Sequence, residues 1–108
     1  MKNAVCAVVG LVLLGLAGCA ALKATAPPVS PQMVQIAEKH RMNEADLTAG
    51  RDLLATRCTS CHSLMPLAAY TPAQWSANVQ KMAPRAKLTP AEATRVTAYL
   101  VAAREAMP

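Results

Sequence analysis

Two thiols and an imidazole stand together in Cys58-Thr59-Ser60-Cys61-His62. Thiols on one helical turn can add across the two vinyl groups of a single haem. The next residue then lies under the ring, where an imidazole can bind iron. C-x-x-C-H is accordingly the attachment sequence for one covalent haem c. Other uses of a close cysteine pair fit less well. A thioredoxin-like redox pair sits in a βαβ pattern, and none surrounds this one. A zinc site of this spacing calls for a second cysteine pair in the same domain. An even cysteine count also permits a tight Cys58–Cys61 disulfide in a purely structural protein. Composition favours the haem. The 108-residue chain has no Phe, one Trp and two Tyr, and a domain of roughly 80 residues is marginal on chain burial alone. A large apolar cofactor supplies the missing core.

The elements that must hold this motif read as helices. Ser30-Pro31 is an N-cap followed by a first-turn proline, opening a helix to about Arg41. A second helix begins between Asn43 and Thr48 and enters the cysteine pair. Along it Leu47, Gly50, Leu54, Cys58 and Cys61 recur at three- and four-residue spacing, on one face. Gly50 in mid-helix costs about 1 kcal/mol against Ala, which predicts close approach of another helix there. Thr71-Pro72-Ala73-Gln74 and Thr89-Pro90-Ala91-Glu92 are capping boxes. They open helices to about Met82, stopped by Pro84, and to about Ala106. In the last, Ala93, Val96, Leu100, Ala103 and Met107 form an apolar stripe with Tyr99 beside it. No segment reads as a strand. The expected fold class is all-α, a small domain of three to four short helices around one haem.

From Leu47 to Ala103 the chain resembles the class I cytochrome c family. The resemblance rests on Gly50-Arg51-Asp52-Leu53, the C-x-x-C-H motif, a methionine before the last helix, and Tyr99-Leu100. It implies a crossing of first and last helices, with Gly50 against Tyr99. It also implies a methionine thioether as sixth iron ligand, and Met82 occupies the matching position. His62 and Met82 are only 20 residues apart, shorter than usual in the family. An extended chain of that length still covers roughly 66 Å. Met65, His40 and Met42 are read as core or surface residues. Trp75 and Val79, one turn apart, are expected to pack on the haem. Lys81, Arg85 and Lys87 bracket Met82 and could steer an acidic redox partner at salt-dependent rates.

Upstream of the domain, Lys2 precedes an apolar run from Ala4 to Leu22, the pattern of an export leader. Leu16-Ala17-Gly18-Cys19 resembles the lipobox of bacterial lipoproteins. That resemblance implies a signal peptide over 1–18 and lipid on Cys19. An ordinary signal peptide or an uncleaved anchor helix are the alternatives, since about 20 apolar residues span a bilayer. Each places the domain on the periplasmic side. Ala20, with no Asp there, leans towards the outer membrane. Residues 19–30, with Pro27 and Pro28, read as a lipid-anchored flexible tether, and 31–108 as the haem domain. Past Cys19 ten cations face six acids, a balance of +4. That is too weak, and too poor in aromatics, for nucleic acid. No general base, nucleophile or second metal constellation suggests independent catalysis. The expected function is a membrane-tethered one-electron carrier, or a small haem subunit of a larger redox complex. The alternative is a gas- or ligand-binding haem protein with an open sixth site.

Overall fold

The computed structural model describes residues 25–60 and 63–108. The leader, Cys19, Cys61 and His62 lie outside the described residues. Four α-helices and no strand occur among those described: α1 (Pro31–Glu38), α2 (Glu44–Arg57), α3 (Pro72–Met82) and α4 (Pro90–Glu105). No described helix is long and apolar enough to cross a membrane.

Each helix is started by its own sequence. The Ser30 hydroxyl accepts from Met33 N–H, with Pro31 in the first turn. At α2, Asn43 and Asp46 form a reciprocal capping box at 3.0 and 3.1 Å. Thr71 with Gln74 and Thr89 with Glu92 do the same for α3 and α4, as their sequences predict. Such caps satisfy N–H groups that otherwise have no intrahelical partner. α1 stops at Glu38, three residues short of expectation. Arg41 takes a left-handed backbone (φ 61°), and Met42 N–H bonds back to the Ala37 carbonyl. That closure ends a helix even without glycine. Lys87 (φ 57°) closes the turn after α3 in the same way, through Leu88 N–H to Ala83 O.

The centre of the core is the crossing of α2 and α4, the most extensive helix contact. Leu47, Val96 and Tyr99 are fully buried there. Gly50 is also buried. A Cβ on it would collide with the Arg95 carbonyl oxygen and lie 3.1 Å from the Tyr99 Cβ. The close approach expected of Gly50 is therefore a helix backbone meeting a helix backbone. Tyr99, beside the apolar stripe, is buried at the crossing against Gly50, as the resemblance implies. One expectation for α4 needs correction. Met107 lies past the helix end and is 37% exposed, because Ala106 already caps the helix.

The expected free tether also differs at its described end. Ala26 is buried. The Arg51 guanidinium donates to the carbonyls of Ala26 and Pro27 at 3.0–3.1 Å, and the Tyr99 hydroxyl donates to Pro27 O at 2.6 Å. Two side chains from the α2–α4 crossing thus clasp the backbone ahead of α1, and residues 25–30 belong to the domain. Prolines suit this docking because their carbonyls remain available when their own N–H is missing.

Two outcomes follow from the crossing and the clasp. Gly50→Ala gains helix propensity, yet its methyl meets a carbonyl that cannot move aside, so chemical denaturation should show a loss of about 2 kcal/mol or more. Burial pushes the Tyr99 hydroxyl up to about 12, with Arg51 partly opposing. The unfolded phenol ionises near 10. The raised folded value means Tyr99 stabilises fully below about pH 10, and that stabilisation is lost as pH rises towards about 12. Tyr99→Phe should cost about 1 kcal/mol at neutral pH, and its stability deficit relative to wild type should shrink across that alkaline window.

Candidate cofactor site

α2 delivers the first motif residue. Its last turn passes into a short 3-10 turn over Cys58–Ser60, tightened by Thr59 Oγ1 donating to Ala55 O at 2.7 Å. Cys58 is a half-buried free thiol. Burial pushes its thiol up. Its inward face continues that of Leu54, one turn earlier and buried.

The chain after the motif is pinned to the helices. Leu67–Ala69 forms one 3-10 turn, and Leu67 is buried. The buried Trp75 indole N–H donates to the Leu67 carbonyl at 2.9 Å. Tyr70 packs edge-on to Trp75 at 5.0 Å, and Arg104 of α4 donates to Tyr70 O at 3.0 Å. This latch escapes sequence reading, because a carbonyl acceptor carries no side-chain signature. Trp75 itself was legible as an apolar position on the Met82 helix, but its polar handle was not.

α3 supplies the facing wall. Trp75, Val79 and Met82 stand at four- and three-residue spacing, hence on one face. The first two are buried, and Met82 at the helix end is 39% exposed. That face and the end of α2 enclose one largely apolar cavity of about 320 Å³, which Val96 and Leu100 of α4 close from behind. Small-molecule sites span roughly 300–1,000 Å³, so the size suits an organic cofactor partly open to solvent. Cys58 and Met82 both border it, separated along the chain but joined by the fold. Met65 borders it too and is 45% exposed. His40 and Met42 line a different groove, between α1, α3 and α4. Lys81 and Arg85 stand at the cavity, and no described acidic residue lines it. Lys87 is exposed and does not border it. Thr25, at the clasped N-terminal segment, is part of the wall, a contact that no local residue pattern announces.

The described lining fits a haem in its chemistry: an inward thiol, an opposed thioether-bearing helix face, an apolar interior and cations at the opening. No family model matches the chain, and neither a curated protein nor a solved structure does.

Trp75→Phe keeps the ring but removes the donor, leaving the Leu67 carbonyl unpaired in a buried site. Denaturation should report a loss of about 1–3 kcal/mol, and hydrogen exchange should quicken over residues 67–75.

Proposed function

We propose that the chain is an exported, lipid-anchored one-electron carrier of the class I cytochrome c kind. The observation that carries this reading is that Cys58 and Met82 border the same largely apolar cavity. Cys58 and Cys61 would hold one haem c through thioethers, His62 would be the proximal iron ligand and Met82 the distal one. The bound haem would supply the one-electron couple. Trp75, Val79, Val96 and Leu100 give the cavity an apolar lining, and an apolar surround together with a methionine ligand would raise a haem potential. The sequence shows no general base, nucleophile or second metal constellation beside the motif, and on that reading we assign it relay rather than independent catalysis. Lys81 and Arg85 at the opening, with Lys87 nearby in sequence, favour an acidic redox protein or a subunit of a larger complex as partner. Lipid on Cys19 would hold the domain on the periplasmic side, with the outer membrane favoured by Ala20.

A second reading, a ligand-binding haem protein with an open sixth site, draws on the partial exposure of Met82 and on Met65 at the same cavity. Optical spectra of protein matured in a haem-attaching host separate the two. The carrier should give a covalent c-type spectrum that is low-spin, carries the weak far-red sulfur-to-iron band when ferric, and does not move with carbon monoxide when ferrous. Met82→Ala should abolish the far-red band and admit carbon monoxide. If Met65→Ala does so instead, Met65 is the ligand. Rapid carbon monoxide binding by the unmodified protein would favour the open site, and a colourless protein would rule out the haem.

A further inference from the structure

Most of the cavity lining belongs to α2, α3, α4 and the loops between them, but Thr25 lines it from ahead of α1. The backbone just after Thr25 is held from two helices. Arg51 Nε donates to the carbonyls of both Ala26 and Pro27 at 3.1 Å, and Nη2 donates to Ala26 O at 3.0 Å. The Tyr99 hydroxyl reaches Pro27 O from α4 at 2.6 Å. Ala26 itself is only 1% exposed, so this stretch is seated in the core rather than laid over it. Neither Arg51 nor Tyr99 borders the cavity, but their neighbours do. Leu54 lies one turn along α2 from Arg51, and Leu100 follows Tyr99 on α4. The hold is therefore applied from just outside the cavity wall.

The segment is stiff enough to pass that hold on. Proline fixes its own φ at about −65° and confines the residue before it to extended backbone. Ala26-Pro27-Pro28 restricts Ala26 and Pro27 in turn, the two residues whose carbonyls are held. Fixing both carbonyls fixes the direction of the chain one residue earlier, at Thr25. The planar fork of a guanidinium suits two successive carbonyls, whereas an ammonium is a single point of contact.

We infer that Arg51 and Tyr99 are positioning residues for the cofactor, which seat Thr25 in the cavity wall through the carbonyls of Ala26 and Pro27 and so limit the access of water to the haem on that side. The inference rests on the haem reading given above. A haem iron gains one positive charge on oxidation, and water stabilises that charge better than a protein wall of low polarity does. A seated wall thus holds the reduction potential up, and a released wall lets it fall.

The test uses the full, haem-matured chain in two variants, Arg51→Lys and Tyr99→Phe, neither of which changes the net charge. Each is read by amide hydrogen exchange at Thr25, Ala26 and Val29 and by equilibrium redox titration. In exchange that does not depend on denaturant, and so proceeds by local opening, these amides should quicken about fivefold, the factor that one ordinary hydrogen bond carries. The one-electron equilibrium should move about threefold towards the ferric form, a fall of about 28 mV at about 59 mV per tenfold. Either variant decides the matter if the other does not mature. Quicker exchange with an unchanged potential overturns the inference and leaves the haem standing. A lower potential without quicker exchange makes the effect one of Arg51 or Tyr99 acting through space, and also overturns it. An unaltered protein that matures without a covalent c-type spectrum overturns the haem reading and the inference together.

Discussion

The domain depends on two helix backbones coming into contact. Where α2 passes α4, Gly50 offers no side chain and the Arg95 carbonyl oxygen occupies the space a Cβ would need. Close approach brings Leu47, Val96 and Tyr99 into one fully buried cluster. Dense packing of this kind leaves little room for adjustment, so the angle of α2 is set by the crossing. The end of α2, where Cys58 sits, inherits that angle. An ion pair between Arg95 and Asp46 at 3.4 Å spans the same crossing, but it is partly solvated and adds less than about 1 kcal/mol. Packing, rather than charge, holds the two helices.

From this crossing the cavity follows by lever arms. α4 carries Val96 and Leu100 to its back wall, and α2 carries Leu54 and Cys58 to one side. α3 is joined to α4 by packing and to the post-motif loop by the Trp75–Leu67 hydrogen bond. Trp75, Val79 and Met82 are thereby presented as one face. A thiol and a thioether 24 positions apart in sequence come to border the same apolar space. That convergence is the observation on which the proposed haem rests.

Much of this was legible residue by residue. Proline at the first helical position and a Thr with Gln or Glu three places on encode helix starts locally, so α3 and α4 could be read almost to their ends. Gly50 could be read because a glycine in mid-helix is unfavourable unless something needs its missing side chain. The remaining features lacked a local signal. The early end of α1 depends on Arg41 accepting a left-handed backbone, which side-chain type does not announce. The docking of residues 25–30 depends on main-chain carbonyls meeting Arg51 and Tyr99 from distant segments. A Pro-rich stretch reads as a free linker unless those partners are known. The 3-10 turn at Leu67 is fixed by tertiary contact rather than by its own Leu-Ala-Ala sequence.

The Tyr99–Pro27 bond joins positions 72 residues apart, the first described stretch of the chain to its last helix. During synthesis the Pro27 carbonyl can meet this donor only after α4 has been made and has crossed α2. The helices are local structures that can form early, whereas closing so long a loop is slow. Arg51, only 24–25 positions from the same segment, can engage it earlier, so Tyr99 completes the clasp and does not begin it.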